Sequence, residues 1–180
     1  MINFKNKILD EMAIKRSLVR ITHEIIERNK GANDLCLLGV KSRGVPLAKM
    51  LHDNILNFEG VDVPVGYLDT TKHRDDISEQ IKMEKSGECH FPCEIKDKTV
   101  VIVDDVIFTG RTARAAIEAV FAFSRPKAIQ LAVLIDRGHR ELPLKADFVG
   151  KNVPTSRNEK IVLRLNQTDG EDGAYICDVD

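Results

Sequence analysis

The sequence predicts an α/β fold built on a doubly wound, mainly parallel sheet. Segments 34–40, 61–68, 98–103 and 128–135 read as strands, and three of them are apolar nearly throughout, as strands covered on both faces are. Three of these runs end in short polar loops, with helical patterns between them. Right-handed crossovers would gather those loops at one sheet edge, where open α/β sheets bind their ligands.

Composition sets the outer bounds. The chain of 180 residues is 43% hydrophobic and 31% charged, as expected of a globular protein that buries roughly 70% of its unfolded surface. One domain spanning residues 1–180 is expected. No run approaches the ~18 apolar residues of a membrane-crossing helix, and residues 1–10 lack a signal-peptide pattern. Four cysteines (Cys36, Cys89, Cys93 and Cys177) at irregular spacing make no disulfide framework, so a reducing, cytoplasmic setting is expected. A net charge of −1 does not mark a nucleic-acid binder. It conceals an acidic tail, about 169–180, that holds Asp169, Glu171, Asp172, Asp178 and Asp180 without a lysine or arginine, which leaves residues 1–168 with a modest basic surplus.

Along the chain, Asp10 is placed to N-cap a helix over Glu11–Lys30. Ile14, Leu18, Ile21, Ile25 and Ile26 recur there at helical spacing, and Gly31 is placed as the stop. After strand 34–40 comes Lys41-Ser42-Arg43-Gly44, then a helix near Val45-Pro46 whose first turn tolerates the proline. That strand, basic loop and helix form one anion site at the sheet edge. Pro64 marks strand 61–68 as an edge strand. Residues 69–95 are polar with little periodicity and are expected to form a mobile flap that closes over the site and excludes water, with Arg74 within reach of it. Cys89-His90-Phe91-Pro92-Cys93 offers three soft ligands, short of the four that structural zinc takes. Residues 146–154 and 160–165 read as further short strands.

The chemistry concentrates in Lys98 to Arg114. Two consecutive acids, Asp104 and Asp105, close a buried strand. Thr109-Gly110-Arg111-Thr112 then turns into a helix whose first N–H groups and dipole favour a phosphate. Neighbouring carboxylates repel, so a pair at such a point suits hydroxyl or cation binding. Acids for hydroxyls beside a phosphate cradle imply a sugar phosphate.

This segment resembles the signature of type I phosphoribosyltransferases. The resemblance implies that fold, with a small hood and the mobile flap added to the sheet. It implies that Asp104 and Asp105 hold the ribose hydroxyls of phosphoribosyl pyrophosphate and that Thr109 to Thr112 wrap its 5′-phosphate, with Val106, Ile107 and Phe108 between them. Lys41, Ser42, Arg43 and Gly44 match the pyrophosphate loop, which this family often holds through a non-proline cis peptide, here Lys41-Ser42. Arg74, with Asp104 and Asp105, is assigned to catalysis. Mg²⁺ would arrive on the pyrophosphate near Asp104 and Asp105, with no dedicated protein metal site. The purine enzymes of the family generally carry an acid where this chain has Phe108, and an aromatic suits a smaller, flat ring. That favours a pyrimidine. Phe148 and Val149 resemble the pair that stacks on the base, although by spacing alone they read equally as core. Arg137 is placed to bond a base carbonyl.

Over nearly its whole length the sequence resembles the PyrR family of pyrimidine-operon attenuation regulators and uracil phosphoribosyltransferases. The match lies in Leu9-Asp10-Glu11, Arg20 to Lys30, Val40 to Gly44, Arg74-Asp75-Asp76, Val100 to Thr112 and Gln130 to Ser156. Its most distinctive part is Ile135-Asp136-Arg137-Gly138-His139-Arg140-Glu141-Leu142-Pro143. The resemblance implies synthesis of UMP from uracil, binding of leader mRNA of pyrimidine genes controlled by UMP or UTP, and a homodimer or a higher oligomer of dimers. Arg16, Arg20 and His23 on the first helix, with His139, Arg140, Lys145, Lys151 and Arg157, are the candidate RNA contacts. Without the resemblance they would read as scattered solvated cations. A uracil or purine salvage transferase without an RNA role is the alternative.

Overall fold

The computed structural model describes residues 4–178. Five parallel strands form the main sheet: β2 (Leu35–Val40), β3 (Val65–Leu68), β4 (Thr99–Ile107), β5 (Ala128–Asp136) and β6 (Phe148–Asn152), in spatial order β3-β2-β4-β5-β6. Every residue of β2 is buried, because helices cover both faces. Alternate side chains along the strands divide the core into two layers. Leu35, Leu37, Val101 and Val103 face Ile14, Leu18 and Ile21 of α1 (Glu11–Asn29) and Leu47 and Leu51 of α2 (Gly44–Glu59). Cys36, Leu38, Val100 and Ile102 face Ala113, Ala116 and Val120 of α4 (Arg111–Phe123). The doubly wound sheet expected from the apolar runs is therefore present. No described helix is long and apolar enough to cross a membrane.

Asp10 caps α1 as expected, its Oδ1 accepting the Ala13 N–H at 2.7 Å. The stop lies one residue earlier than the glycine suggested. Lys30 adopts the left-handed conformation, and the Lys30 and Gly31 N–H groups return to the Glu27 and Ile26 carbonyls. Strand 61–68 shrinks to its last four residues at the sheet edge. Pro64, just before them, contributes only its carbonyl, which accepts the Leu37 N–H at 2.9 Å.

A second, antiparallel sheet, in spatial order β1-β8-β7, forms the expected small hood from two segments that the sequence left unassigned and one that it read as a strand. It consists of β1 (Phe4–Asp10), β7 (Glu159–Arg164) and β8 (Gly173–Asp178). β1 is largely exposed and polar, so it lacks the apolar alternation that reveals a strand. The acidic tail is mostly the central strand of this small hood. Asp169 and Glu171 pair with Arg43 and Arg164, while Val179 and Asp180 lie outside the described residues. Residues 69–95 are also more ordered than their composition suggested. They contain a 3₁₀ turn (Thr71–His73) and α3 (Glu79–Lys85), which Ser78 caps. Reciprocal backbone bonds of 3.0 and 2.8 Å between Tyr67 and His90 close the segment at its root.

Two glycines let the loop after β2 return tightly onto the sheet. A Cβ on Gly39 would lie 2.5 Å from Val45 Cα, and one on Gly44 would lie 2.2 Å from the Val103 carbonyl oxygen. Only backbone fits there. Gly39→Ala is expected to lower stability by about 2–3 kcal/mol, read as a fall in the urea midpoint at unchanged m-value.

Candidate active site

The C-terminal ends of β4 and β5, the first turn of α4 and part of segment 69–95 enclose a cavity of about 380 Å³. Its lining includes Arg74, Asp76, Asp104, Val106 to Ala113, Leu131, Val133 and Glu141. Gly110 makes the turn at φ 92°, a conformation that costs glycine little. Thr109 Oγ1 accepts the Arg111 N–H at 3.3 Å. Across the sheet edge, the Lys41–Ser42 peptide is cis, and its loop precedes the N-terminus of α2.

Asp104 and Asp105 are partly buried on consecutive residues. Each accepts the next backbone N–H, Asp104 from Asp105 at 2.9 Å and Asp105 from Val106 at 2.8 Å. Burial, followed by the charge of Asp105, pushes the Asp104 carboxyl well above its ordinary range, against the pull of Arg74. Burial raises Asp105 too, opposed by the Val106 N–H. The cations around them are each held by carboxylates. Arg74 pairs with Asp76 and reaches Thr112 Oγ1 at 3.3 Å; Arg111 pairs with Asp75 and Glu141, the latter at 2.8 Å. Arg43 makes a two-pronged bond to Asp169 and a 2.7 Å bond to Thr168. It is thus tied to the hood, away from the loop's other residues.

The Arg137 guanidinium lies 3.8 Å from the Phe108 ring centroid, and His139 meets the same ring edge-on at 5.8 Å. Arg137 is 5% exposed. Its Nε donates to Thr155 Oγ1 at 2.9 Å, and its Nη2 donates to the Ser156 and Glu159 carbonyls. Arg140 donates to the Asp136 carboxylate and the Phe108 and Leu144 carbonyls. That residue shapes the cavity loop from within, a different setting from the open cationic face where it was expected.

Phe148 and Val149 do not line the cavity. The register pairs Phe148 with Ala132, four residues short of the Asp136–Asn152 pair at the strand ends. Its ring is 3% exposed in the core beneath α1, with Arg28 5.6 Å from its centroid. Arg16, Arg20 and His23 do share one exposed groove on α1, together with Met12 and Val19. Arg20 also donates to the Val149 and Gly150 carbonyls, and Lys151 of the same strand donates to Ile8 at 3.1 Å. Lys145 and Arg157 are exposed in loops, while the His139 ring lies edge-on to Phe108 and its Nε2 meets the Thr155 carbonyl. The expected eight-residue cationic surface is therefore split within one chain. The cavity residues missed by sequence reading are Ala113, which continues the predicted Thr109–Thr112 turn into α4, and Asp76, Glu141, Leu131 and Val133. The acids could have been found from the arginines beside them, Arg74 and Arg111; Leu131 and Val133 look like any strand interior.

A family model described as the phosphoribosyl transferase domain matches residues 5–165. Among curated relatives, "Bifunctional protein PyrR" of Clostridium beijerinckii is 55% identical over 174 residues, covering 97% of this chain and 98% of that protein. The protein of the same name from Listeria monocytogenes is 53% identical, covering 94% of each chain. Among solved structures, the hypoxanthine phosphoribosyltransferase of Trypanosoma cruzi matches with a TM-score of 0.73 at 20% identity over 98% of both chains. A hypoxanthine-guanine phosphoribosyltransferase from Bacillus anthracis matches at 0.70 and 19%, over 98% of this chain and 99% of that one. At such identity these structures share the fold alone.

A raised folded pKa means that Asp104 binds its proton more tightly folded than unfolded. Its contribution to stability therefore falls as pH climbs from the ordinary carboxylate range through the raised value. Asp104→Asn should raise Tm by about 3 °C at neutral pH, with the gain shrinking toward about pH 4. Thermal melts across pH read this directly, and a lower Tm at neutral pH would contradict the assigned charge strain.

Proposed function

Because the chain belongs to the phosphoribosyl transferase domain family, we propose that this cavity transfers phosphoribosyl from phosphoribosyl pyrophosphate to uracil, giving UMP and pyrophosphate. We propose with it that the protein regulates pyrimidine genes by uridine-nucleotide-dependent binding of leader mRNA. The observation that carries the enzymatic half is the juxtaposition of the Asp104–Asp105 pair with the Thr109–Thr112 turn and with Phe108. The acids accept the ribose 2′- and 3′-hydroxyls, and the turn with the start of α4 receives the 5′-phosphate. Loop 41–44 meets the pyrophosphate, and Arg74 approaches it from segment 69–95.

Bond breaking at the sugar C1 builds positive charge on the ring, and the nearby carboxylates suit that charge. The protein orients the two reactants and needs no covalent nucleophile. Burial and the charge of Asp105 raise the proton affinity of Asp104, so the pair would suit a cation brought in with the pyrophosphate. Mg²⁺ carried on the pyrophosphate would supply charge neutralisation of the leaving group, with Asp104 and Asp105 the nearest acids to hold it. Phe108 offers no partner to a purine N7 and a flat face to a pyrimidine, with Arg137 stacked behind it.

The regulatory half is supported by the PyrR name shared across full-length relatives and by the α1 groove of Arg16, Arg20 and His23 next to Lys151. Unpaired bases in a hairpin loop are what side chains of this kind read, with salt-dependent phosphate contacts around them. A dimer or larger assembly in the cytoplasm is part of this reading. Joining two α1 faces would extend the cationic surface that one chain leaves divided.

A gel shift of pyrimidine leader RNA, titrated with UMP, tests the regulatory half; absence of a nucleotide-enhanced shift would refute it. Arg20→Gln should weaken RNA binding about tenfold or more while UMP synthesis stays close to that of the unaltered protein. Phe108→Asp should erode the preference for uracil over hypoxanthine. Turnover of hypoxanthine but not uracil by the unaltered protein would replace this reading with purine salvage.

A further inference from the structure

The root of segment 69–95 holds a carboxylate with no assigned part in the reaction. Asp69 follows the last residue of β3, and its side chain is 12% exposed. One oxygen accepts the Thr71 N–H at 3.0 Å and the other the Gly87 N–H at 3.2 Å, so both ends of the segment hang on one group. Lys41, the first residue of the pyrophosphate loop, places Nζ 3.6 Å from the same carboxylate. That ammonium also donates to the Glu88 carbonyl at 3.0 Å and lies 4.7 Å from the Tyr67 ring centroid.

The cluster is tight and specifically built. A Cβ on Gly87 would fall 2.7 Å from Asp69 Oδ2 and 2.9 Å from Lys41 Nζ. Cys89 fixes the Asp69 backbone, its Sγ accepting that residue's N–H at 3.3 Å and facing its carbonyl at 3.6 Å. Burial works to raise the Asp69 pKa, but the Thr71 bonds and the Lys41 charge prevail and hold it below the ordinary value. The group is an anion at neutral pH, facing one cation and two amides.

We propose that Asp69 is a positioning residue: its carboxylate ties both ends of the 69–95 segment to Lys41 and so sets the orientation of the loop that receives the pyrophosphate. The inference rests on the transferase reading of the cavity. The ammonium donates one hydrogen bond, to the Glu88 carbonyl, and is held by charge 3.6 Å from the Asp69 carboxylate, which fixes its direction and leaves N–H donors for an incoming anion. When the segment moves, the carboxylate moves with it, and Lys41 loses both its ion-pair partner and its aim. Closure of the segment and preparation of the pyrophosphate loop thus become one event.

Steady-state UMP synthesis by the unaltered protein, Asp69→Asn, Lys41→Met and the double variant tests this. Asp69→Asn keeps the shape and removes the charge. It should raise KM for phosphoribosyl pyrophosphate about tenfold, while kcat and KM for uracil stay within about twofold. The double variant should be no worse than Lys41→Met, because the acid acts through the lysine. An unchanged KM for phosphoribosyl pyrophosphate, or additive penalties, would overturn the proposal. Gly87→Ala, which crowds the same pair, should reproduce the KM shift and serves if Asp69→Asn folds poorly. Trypsin cleavage after Lys82 and Lys85 without substrate should be about fivefold faster in Asp69→Asn, and equal rates would equally overturn the clamp. Since proteolysis needs no turnover, an inactive unaltered protein would refute the transferase reading separately.

Discussion

Two carboxylates on consecutive residues at the end of β4 impose the constraint around which this molecule is arranged. Strand geometry sends successive side chains to opposite faces, so Asp104 and Asp105 diverge. Each is satisfied only locally, by the next backbone N–H. The strand that carries them is central in the sheet, between β2 and β5 with helices on both faces, and its first five residues are buried. Charge there is costly, and the raised proton affinity of Asp104 records the cost. Folding alone would favour a neutral residue. Hydroxyls or a cation would complete the environment of the pair, and the phosphoribosyl pyrophosphate proposed as substrate would bring hydroxyls to it.

The cations around the pair follow from the same constraint. Arg74, Arg111 and Arg43 are each paired with acids from other parts of the chain: Asp76 and Asp75 from segment 69–95, Glu141 from the loop after β5, and Asp169 from the hood. On the proposed reading, a polyanion entering the cavity would compete with those carboxylates for the arginines, and the acids belong to three different elements, segment 69–95, the β5 loop and the hood. Partly exposed pairs of this kind contribute little to stability, which makes them cheap to exchange.

The sequence made legible what depends on local pattern. Buried runs announced β2, β4 and β5; the Asp10 cap, the cis peptide site and the Gly110 turn were readable because each needs a particular residue at a particular place. What stayed hidden depends on long-range pairing. β1 is polar and exposed, and only β8, far along the chain, makes it a strand. The tail looked like surplus charge because its partners, Arg43 and Arg164, lie elsewhere in the sequence. Phe148 carries the right residue type for a base platform, yet the β5–β6 register sets it in the core, a matter of four residues that no local pattern records. Arg140 and Arg20 show the same limit. One is enclosed by Asp136 and the Phe108 carbonyl, whereas the other remains on an open helix face.

The Asp136–Pro143 stretch, the most distinctive part of the sequence, ties these strands together. Arg137 stacks on the ring of Phe108, a cavity residue, while its donors grip Thr155, Ser156 and Glu159 at the entrance to the hood. Arg140 holds the Phe108 carbonyl, and the Glu141 and Leu142 N–H groups return to the Thr109 carbonyl. A base resting on Phe108, as proposed, would therefore bear on a loop bonded both to the Thr109–Thr112 turn and to the hood. On the outer side of the sheet, Arg20 grips the β6 carbonyls of Val149 and Gly150, and β6 pairs with the strand that ends in this loop. On the proposed reading, occupancy of the cavity would reach the hood and the β6 edge through this buried arginine, a route by which a bound nucleotide could alter a surface that it never touches.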